Sequence, residues 1–145
     1  MFKLFRRRPK FDDTKKAQFV EAISGMLKVQ RSAAAKRIPE DADGHINRRA
    51  MGYIYGFIDA ALSTTGQDMS DVRVSVPITY QVLERVFPGS GEKYVTFLSN
   101  NIGRDQAVTL GMTIGGQQYL DFCKSDSKGA PMGLARYLIE GDKPT

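Results

Sequence analysis

Two apolar segments of the sequence each carry a pair of glycines four residues apart, and these pairs constrain the fold more than any other feature. The pairs are Gly52 with Gly56 and Gly111 with Gly115. A glycine inside a helix costs about 1 kcal/mol relative to alanine, so something must compensate for it. Close approach of another backbone is the usual compensation. We therefore interpret the four glycines as a helix-packing seam; packing within one chain, a homodimer contact and no role at all stay open.

The segment 45–64 gives the clearest helical pattern, because its apolar residues recur at spacings of three and four and form one broad face. The same spacing of Phe19, Ile23 and Leu27 predicts an earlier helix. Further patterns, with their caps and terminating Pro or Gly residues, bring the total to about six helices. The predicted helices cover residues 12–38, 45–64, 76–87, 92–98, 105–124 and 131–141.

The stretch 105–124 fits two structures. A β-hairpin could turn at Gly115 and Gly116. A helix would instead gather a wide apolar stripe along one side. We favour the helix because the stripe continues through the whole stretch.

Alternating polar and apolar residues in 71–76 suggest a short strand, but Pro77 follows and no pairing partner is evident. We therefore expect an extended linker there, with Ser75 capping the next helix and Pro77 in its first turn. The predicted fold class is all-α: a single-domain bundle of about six helices with glycine-lined helix contacts, covering residues 12–145.

The positive charge of the chain is concentrated at one end. Residues 1–16 contain seven basic and two acidic side chains, whereas 17–145 contain 14 of each. The sequence therefore predicts a flexible basic tail over residues 1–11 on a neutral body. The residues of this tail that we expect to bind an anionic surface are Phe2, Lys3, Phe5, Arg6, Arg7, Arg8 and Lys10.

The tail resembles neither a secretory signal nor a membrane span. No apolar region follows its arginines, as a signal peptide would require. No apolar stretch elsewhere reaches the roughly 18 to 20 residues of a spanning helix. With a single cysteine and ordinary globular composition, the sequence indicates a reduced, cytoplasmic protein.

Three roles are open to the basic tail: binding an anionic membrane, binding nucleic acid, or remaining a solvated end. A membrane surface is favoured over nucleic acid because Phe2, Leu4 and Phe5 adjoin the arginines, and interfacial binding combines apolar wedges with positive charge. A nucleic-acid binder would add a basic stripe on its folded body. The body residues that such a stripe would gather on one face are Lys36, Arg37, Arg48 and Arg49.

The sequence contains no recognisable catalytic, metal or nucleotide motif. His45 and Cys123 are the only residues of their types, so a Cys/His zinc site is excluded. We expect a solvated histidine and a buried cysteine. Asp59 is the one acid inside the long apolar helix. The prediction is an ion pair with Arg85 or Arg136, and the alternatives are a plain exposed acid and a catalytic role.

These observations predict a small non-enzymatic interaction or adaptor protein that needs no cofactor or metal. Its basic tail would associate with an anionic surface, and its location would be cytoplasmic and peripheral at the membrane. The expected partners are an unidentified protein, an anionic membrane ahead of nucleic acid, and a second copy of the chain. The alternatives are a nucleic-acid-associated helical protein and an enzyme with a site around Asp59.

Overall fold

The computed structural model describes residues 11–124 and 130–141. Over these residues the chain forms six helices, with one isolated β-bridge between Glu40 and Ile46. The all-α bundle with glycine-lined contacts is thus confirmed, and the segment that also fitted a hairpin is helical. The helices are α1 (Asp13–Ala33), α2 (Arg48–Ser63), α3 (Val72–Val86), α4 (Gly91–Asn101), α5 (Gln106–Lys124) and α6 (Gly133–Glu140).

Helix α2 lies at the centre of the bundle. Ten of its sixteen residues are buried, and it contacts α1, α4, α5 and α6. Its first turn is capped by Asn47, whose side-chain oxygen accepts a hydrogen bond of 2.9 Å from the backbone N–H of Ala50. Because α2 buries apolar residues on several sides, it positions most of the core.

Helices α2 and α5 pack with their backbones in direct contact at the four seam glycines. A Cβ atom added to any of the four would collide with a backbone carbonyl oxygen of the other helix. The oxygens in question belong to Val108, Met112, Arg49 and Tyr53, opposite Gly52, Gly56, Gly111 and Gly115 respectively. The seam therefore joins two helices of one chain, and each helix contributes two of its glycines.

We expect Gly115→Ala to destabilise the fold by about 1 to 3 kcal/mol, because overpacking a close contact outweighs the roughly 1 kcal/mol that alanine gains in a helix. The matched control is Gly25→Ala on α1, where nothing lies within 4 Å of the added Cβ. That variant should gain up to about 1 kcal/mol. Urea denaturation measures both, and equal effects of the two substitutions would contradict the close contact.

A buried network of hydrogen bonds connects the beginning of α6 to α1, α2 and α5. The hydroxyl of Tyr53 donates to Oε1 of Gln118 (2.6 Å) and accepts from Nε2 of Gln30 (3.3 Å). The backbone N–H groups of Gly133 and Leu134 have no acceptor within the first turn of α6. They donate to the side-chain oxygens of Gln118 (3.0 Å) and Gln30 (2.8 Å), respectively. Burial raises the pKa of Tyr53 to about 12, so its hydroxyl keeps its proton and remains a donor.

The prediction of an extended linker before Pro77 is wrong, because α3 already begins at Val72. Its N-cap is Asp71, whose side chain accepts a hydrogen bond of 3.1 Å from the N–H of Arg73. Ser75, the predicted cap, is a buried residue within the helix. The proline costs one backbone hydrogen bond near the helix start, which burial of the apolar face of α3 outweighs.

Helix α1 ends five residues earlier than predicted, at Ala33. Ala35 and Lys36 take left-handed backbone conformations (φ 56° and 57°), which end the helix despite good helix propensity. The guanidinium of Arg31 stabilises this turn by donating to the carbonyl of Lys36 (3.0 Å) and to that of Val86 in α3 (2.6 Å).

Candidate functional site

The residues predicted to bind an anionic surface precede the described part of the chain. Phe2, Lys3, Phe5, Arg6, Arg7, Arg8 and Lys10 all lie outside the described residues, so their role stays a prediction. Within residues 11–124 and 130–141, no helix has both the length and the apolar character needed to cross a bilayer.

An open groove of about 570 Å³ runs along the contact between α2 and α5. Seam residue Gly56 and its neighbour Gly116 form part of its lining, and they contribute no side chain that would fill it. Asp59 and Thr64 line it from the α2 side, with Met112, Thr113, Gln117 and Leu120 on the α5 side. The close approach of the two backbones thus leaves a groove that combines one acid with hydroxyl, amide and apolar side chains.

Asp59 lies in this groove without the predicted ion pair. Arg136 is paired with Glu140 at 2.9 Å. Arg85 is exposed, and it forms no ion pair with Asp59 among the described residues. Burial raises the pKa of the Asp59 carboxyl above its ordinary value. Tyr55 lies one turn before Asp59 on α2. Burial raises the pKa of its hydroxyl, and the nearby Asp59 charge raises that pKa further. The prediction of an ion pair with Arg85 or Arg136 is therefore wrong. Asp59 is instead a half-buried acid that faces a groove.

We expect Asp59→Asn to increase the free energy of unfolding at pH 7, because burial disfavours the charged carboxylate of the wild type. An acid whose folded pKa is raised weakens the fold above that pKa. The gain should therefore shrink as the pH falls from the raised pKa towards the ordinary value of 3.8.

Urea denaturation at several pH values measures this difference. Glu21→Gln on the exposed side of α1 removes the same charge and is the control. A gain that is the same at pH 7 and at pH 3 to 4 would contradict the proposed cause.

The polar neighbours of Asp59 in the groove were not singled out from the sequence. The hydroxyl of Thr64 donates to the carbonyl of Ala61 (2.6 Å), and that of Thr113 donates to the carbonyl of Thr109 (3.1 Å). No helical spacing of three or four residues connects Thr64 or Thr113 to a seam glycine in the sequence. Their approach to Asp59 depends on the pairing of α2 with α5, which the sequence does not reveal.

His45 is a surface histidine, as predicted. It is 80% exposed, and its Nδ1 lies 3.3 Å from Oδ2 of Asp41. Asp43 lies close enough for the three side chains to offer ligand atoms within 4.8 Å of one another. All three are exposed, and such acidic groups are common on surfaces. Cys123 is also exposed, so the prediction of a buried cysteine is wrong: the last turn of α5 carries it away from the core.

A second groove of about 360 Å³ lies between α3 and α4. Beside it, Val72, Val76 and Tyr80 follow one another at four-residue spacing along α3 and are 65%, 43% and 41% exposed. Thr79 lines the same groove, and its buried hydroxyl has no hydrogen-bond partner. This face of α3 is the clearest apolar surface stripe on the described part of the chain.

At least one of the basic residues expected of a nucleic-acid interface is already paired with an acid of the same chain. Arg48 is engaged with Asp105, Nη1 to Oδ2 being 3.2 Å. That ion pair links the beginning of α2 to the beginning of α5, which makes it part of the helix packing.

No protein-family model, curated protein or solved structure matches this chain. Any functional assignment therefore rests on the chain's own charges, grooves and contacts.

Proposed function

We propose that this chain is a non-enzymatic interaction protein that attaches through its basic N-terminal segment to an anionic membrane surface on the cytoplasmic side. In this proposal the helical body stays outside the bilayer and presents a face to a protein partner. The observation that carries the proposal is the separation of charge: the net charge of +5 belongs entirely to residues 1–16.

The energetics of such a segment favour reversible attachment. Each Lys or Arg near an anionic leaflet contributes about 1 kcal/mol, so the five basic residues up to Lys10 supply roughly 5 kcal/mol before screening by salt. Apolar area from Phe2, Leu4 and Phe5 adds roughly 25 cal/mol per Å² buried in the interface. Together the two contributions give binding that vesicles can detect and that salt weakens.

Two features of the body support this function over nucleic-acid binding. Residues 17–145 carry no net charge, and Arg48 is committed to Asp105 within the helix packing. The exposed stripe of Val72, Val76 and Tyr80 gives the body an apolar face that suits a protein partner.

The test is co-sedimentation with vesicles of phosphatidylserine and phosphatidylcholine. Changing Arg6, Arg7 and Arg8 to Glu should weaken binding by about a hundredfold or more, because at least 3 kcal/mol of attraction is lost. Phe2→Ser with Phe5→Ser should weaken it by roughly tenfold or more through lost apolar burial. The charge-matched control changes three exposed body residues, Lys28, Arg85 and Arg104, to Glu and should bind nearly normally.

A nucleic-acid mobility shift with the same variants separates the alternatives. Nucleic-acid binding would share the dependence on salt and arginine, but would depend much less on the two phenylalanines. Deleting residues 1–10 should abolish vesicle binding and leave the circular dichroism spectrum nearly unchanged. Absence of binding in both assays would contradict the proposal and leave the segment a solvated end.

A further inference from the structure

The polar groups of the α2–α5 groove offer mainly hydrogen-bond acceptors. The hydroxyls of Thr64 and Thr113 already donate their hydrogens to carbonyls of their own helices, so only their lone pairs face a ligand. The amide of Gln117 donates one of its two N–H hydrogens to Oδ1 of Asp121 at 2.9 Å, which leaves its carbonyl oxygen and one N–H for a ligand. The Asp59 carboxylate can only accept hydrogen bonds. Among the hydroxyls that line the groove, only that of Ser63 can both donate and accept. A ligand that satisfies these groups must bring donors.

The electrostatics of the groove favour positive charge. It lies along the C-terminal half of α2, where the helix dipole places partial negative charge. The last turn of α2 contains no basic residue that would neutralise this charge. Asp59 adds a full negative charge and has no ion-pair partner among the described residues. Partial burial of this carboxylate without a cation costs free energy, which a bound cation would offset.

The remaining lining suits a short aliphatic stem. Met112 and Leu120 supply apolar contacts, while Gly56, Ala60 and Gly116 leave the floor open. A volume of about 570 Å³ is in the range of small-molecule sites. The groove therefore combines an anionic end with an apolar wall of modest size.

We propose that this groove binds an alkylammonium or alkylguanidinium group, with its cationic head at Asp59 and its stem along Met112 and Leu120. The ligand is either a free small amine or guanidine, or an arginine or lysine side chain of a partner protein. The proposal goes beyond membrane attachment and uses none of the N-terminal residues, so the two can succeed or fail separately.

The test is a titration of the full chain followed by backbone amide NMR shifts. The first pair of probes is n-butylguanidinium and its neutral analogue N-butylurea. The second pair is a capped tripeptide with a central arginine and the same peptide with citrulline, which has the same shape and no charge. Each charged probe should bind at least tenfold more tightly than its neutral counterpart and shift amides of residues 56–64 and 112–120.

Two variants assign the effect to Asp59. Asp59→Asn keeps the shape of the side chain and should reduce the affinity for the charged probes by about tenfold or more, since hydrogen bonds between charged groups are the strong ones. Glu21→Gln removes a charge from the exposed side of α1 and should leave the affinity unchanged. Circular dichroism verifies that both variants are folded.

Tighter binding of the tripeptide would identify a partner side chain as the ligand, and tighter binding of butylguanidinium would identify a small molecule. Equal binding of charged and neutral probes would overturn the proposal. So would an unchanged affinity in Asp59→Asn, or the absence of shifts along the groove with any probe.

Discussion

The backbones of α2 and α5 touch at four glycines, and theirs is the most extensive contact between two helices in the described part of the chain. The hydroxyl of Tyr53 on α2 reaches Gln118 on α5 because no side chain stands between the two backbones. The groove that contains Asp59 borders the same contact, and Gly56 belongs to both. A single added methyl group at the seam would therefore disturb both the core network and the candidate site.

Helix α6 shows how the pair recruits a third element. An eight-residue helix is too short to be stable by itself. Its first amides find acceptors on Gln30 and Gln118, and farther along the side-chain amide of Asn47 donates to the carbonyl of Tyr137 at 2.9 Å. Gly133 packs so closely on the ring of Tyr53 that a Cβ would not fit without a shift. Long-range polar contacts thus replace the side-chain cap that the N-terminus of this helix lacks.

Features that depend on local sequence patterns were predicted correctly, whereas features that depend on contacts between distant residues were not. Six helices and the seam glycines follow from periodicity and glycine spacing, which are local. The early end of α1 is stabilised by a hydrogen bond from Arg31 to Val86 in another helix, which is not a local contact. The start of α3 at Val72 was not predicted, because proline was expected in the first turn of the helix. Burial of the apolar face of α3 compensates for Pro77 inside it. Asp59 was recognised as unusual, but its surroundings depend on the pairing of α2 with α5, which no local pattern reveals.

The seam glycines also determine what kind of force holds α2 to α5. Where another residue would carry Cβ, glycine carries a second α-hydrogen, and at all four positions that hydrogen points at a carbonyl oxygen of the opposite helix. Such Cα–H···O contacts contribute about 0.5 to 1 kcal/mol each, so four of them offset much of the roughly 4 kcal/mol that four glycines cost in helix propensity. Hydrophobic burial weakens on cooling, whereas these dipolar contacts do not share that dependence. The contribution of the seam to the contact between α2 and α5 should therefore weaken less on cooling than that of an apolar contact.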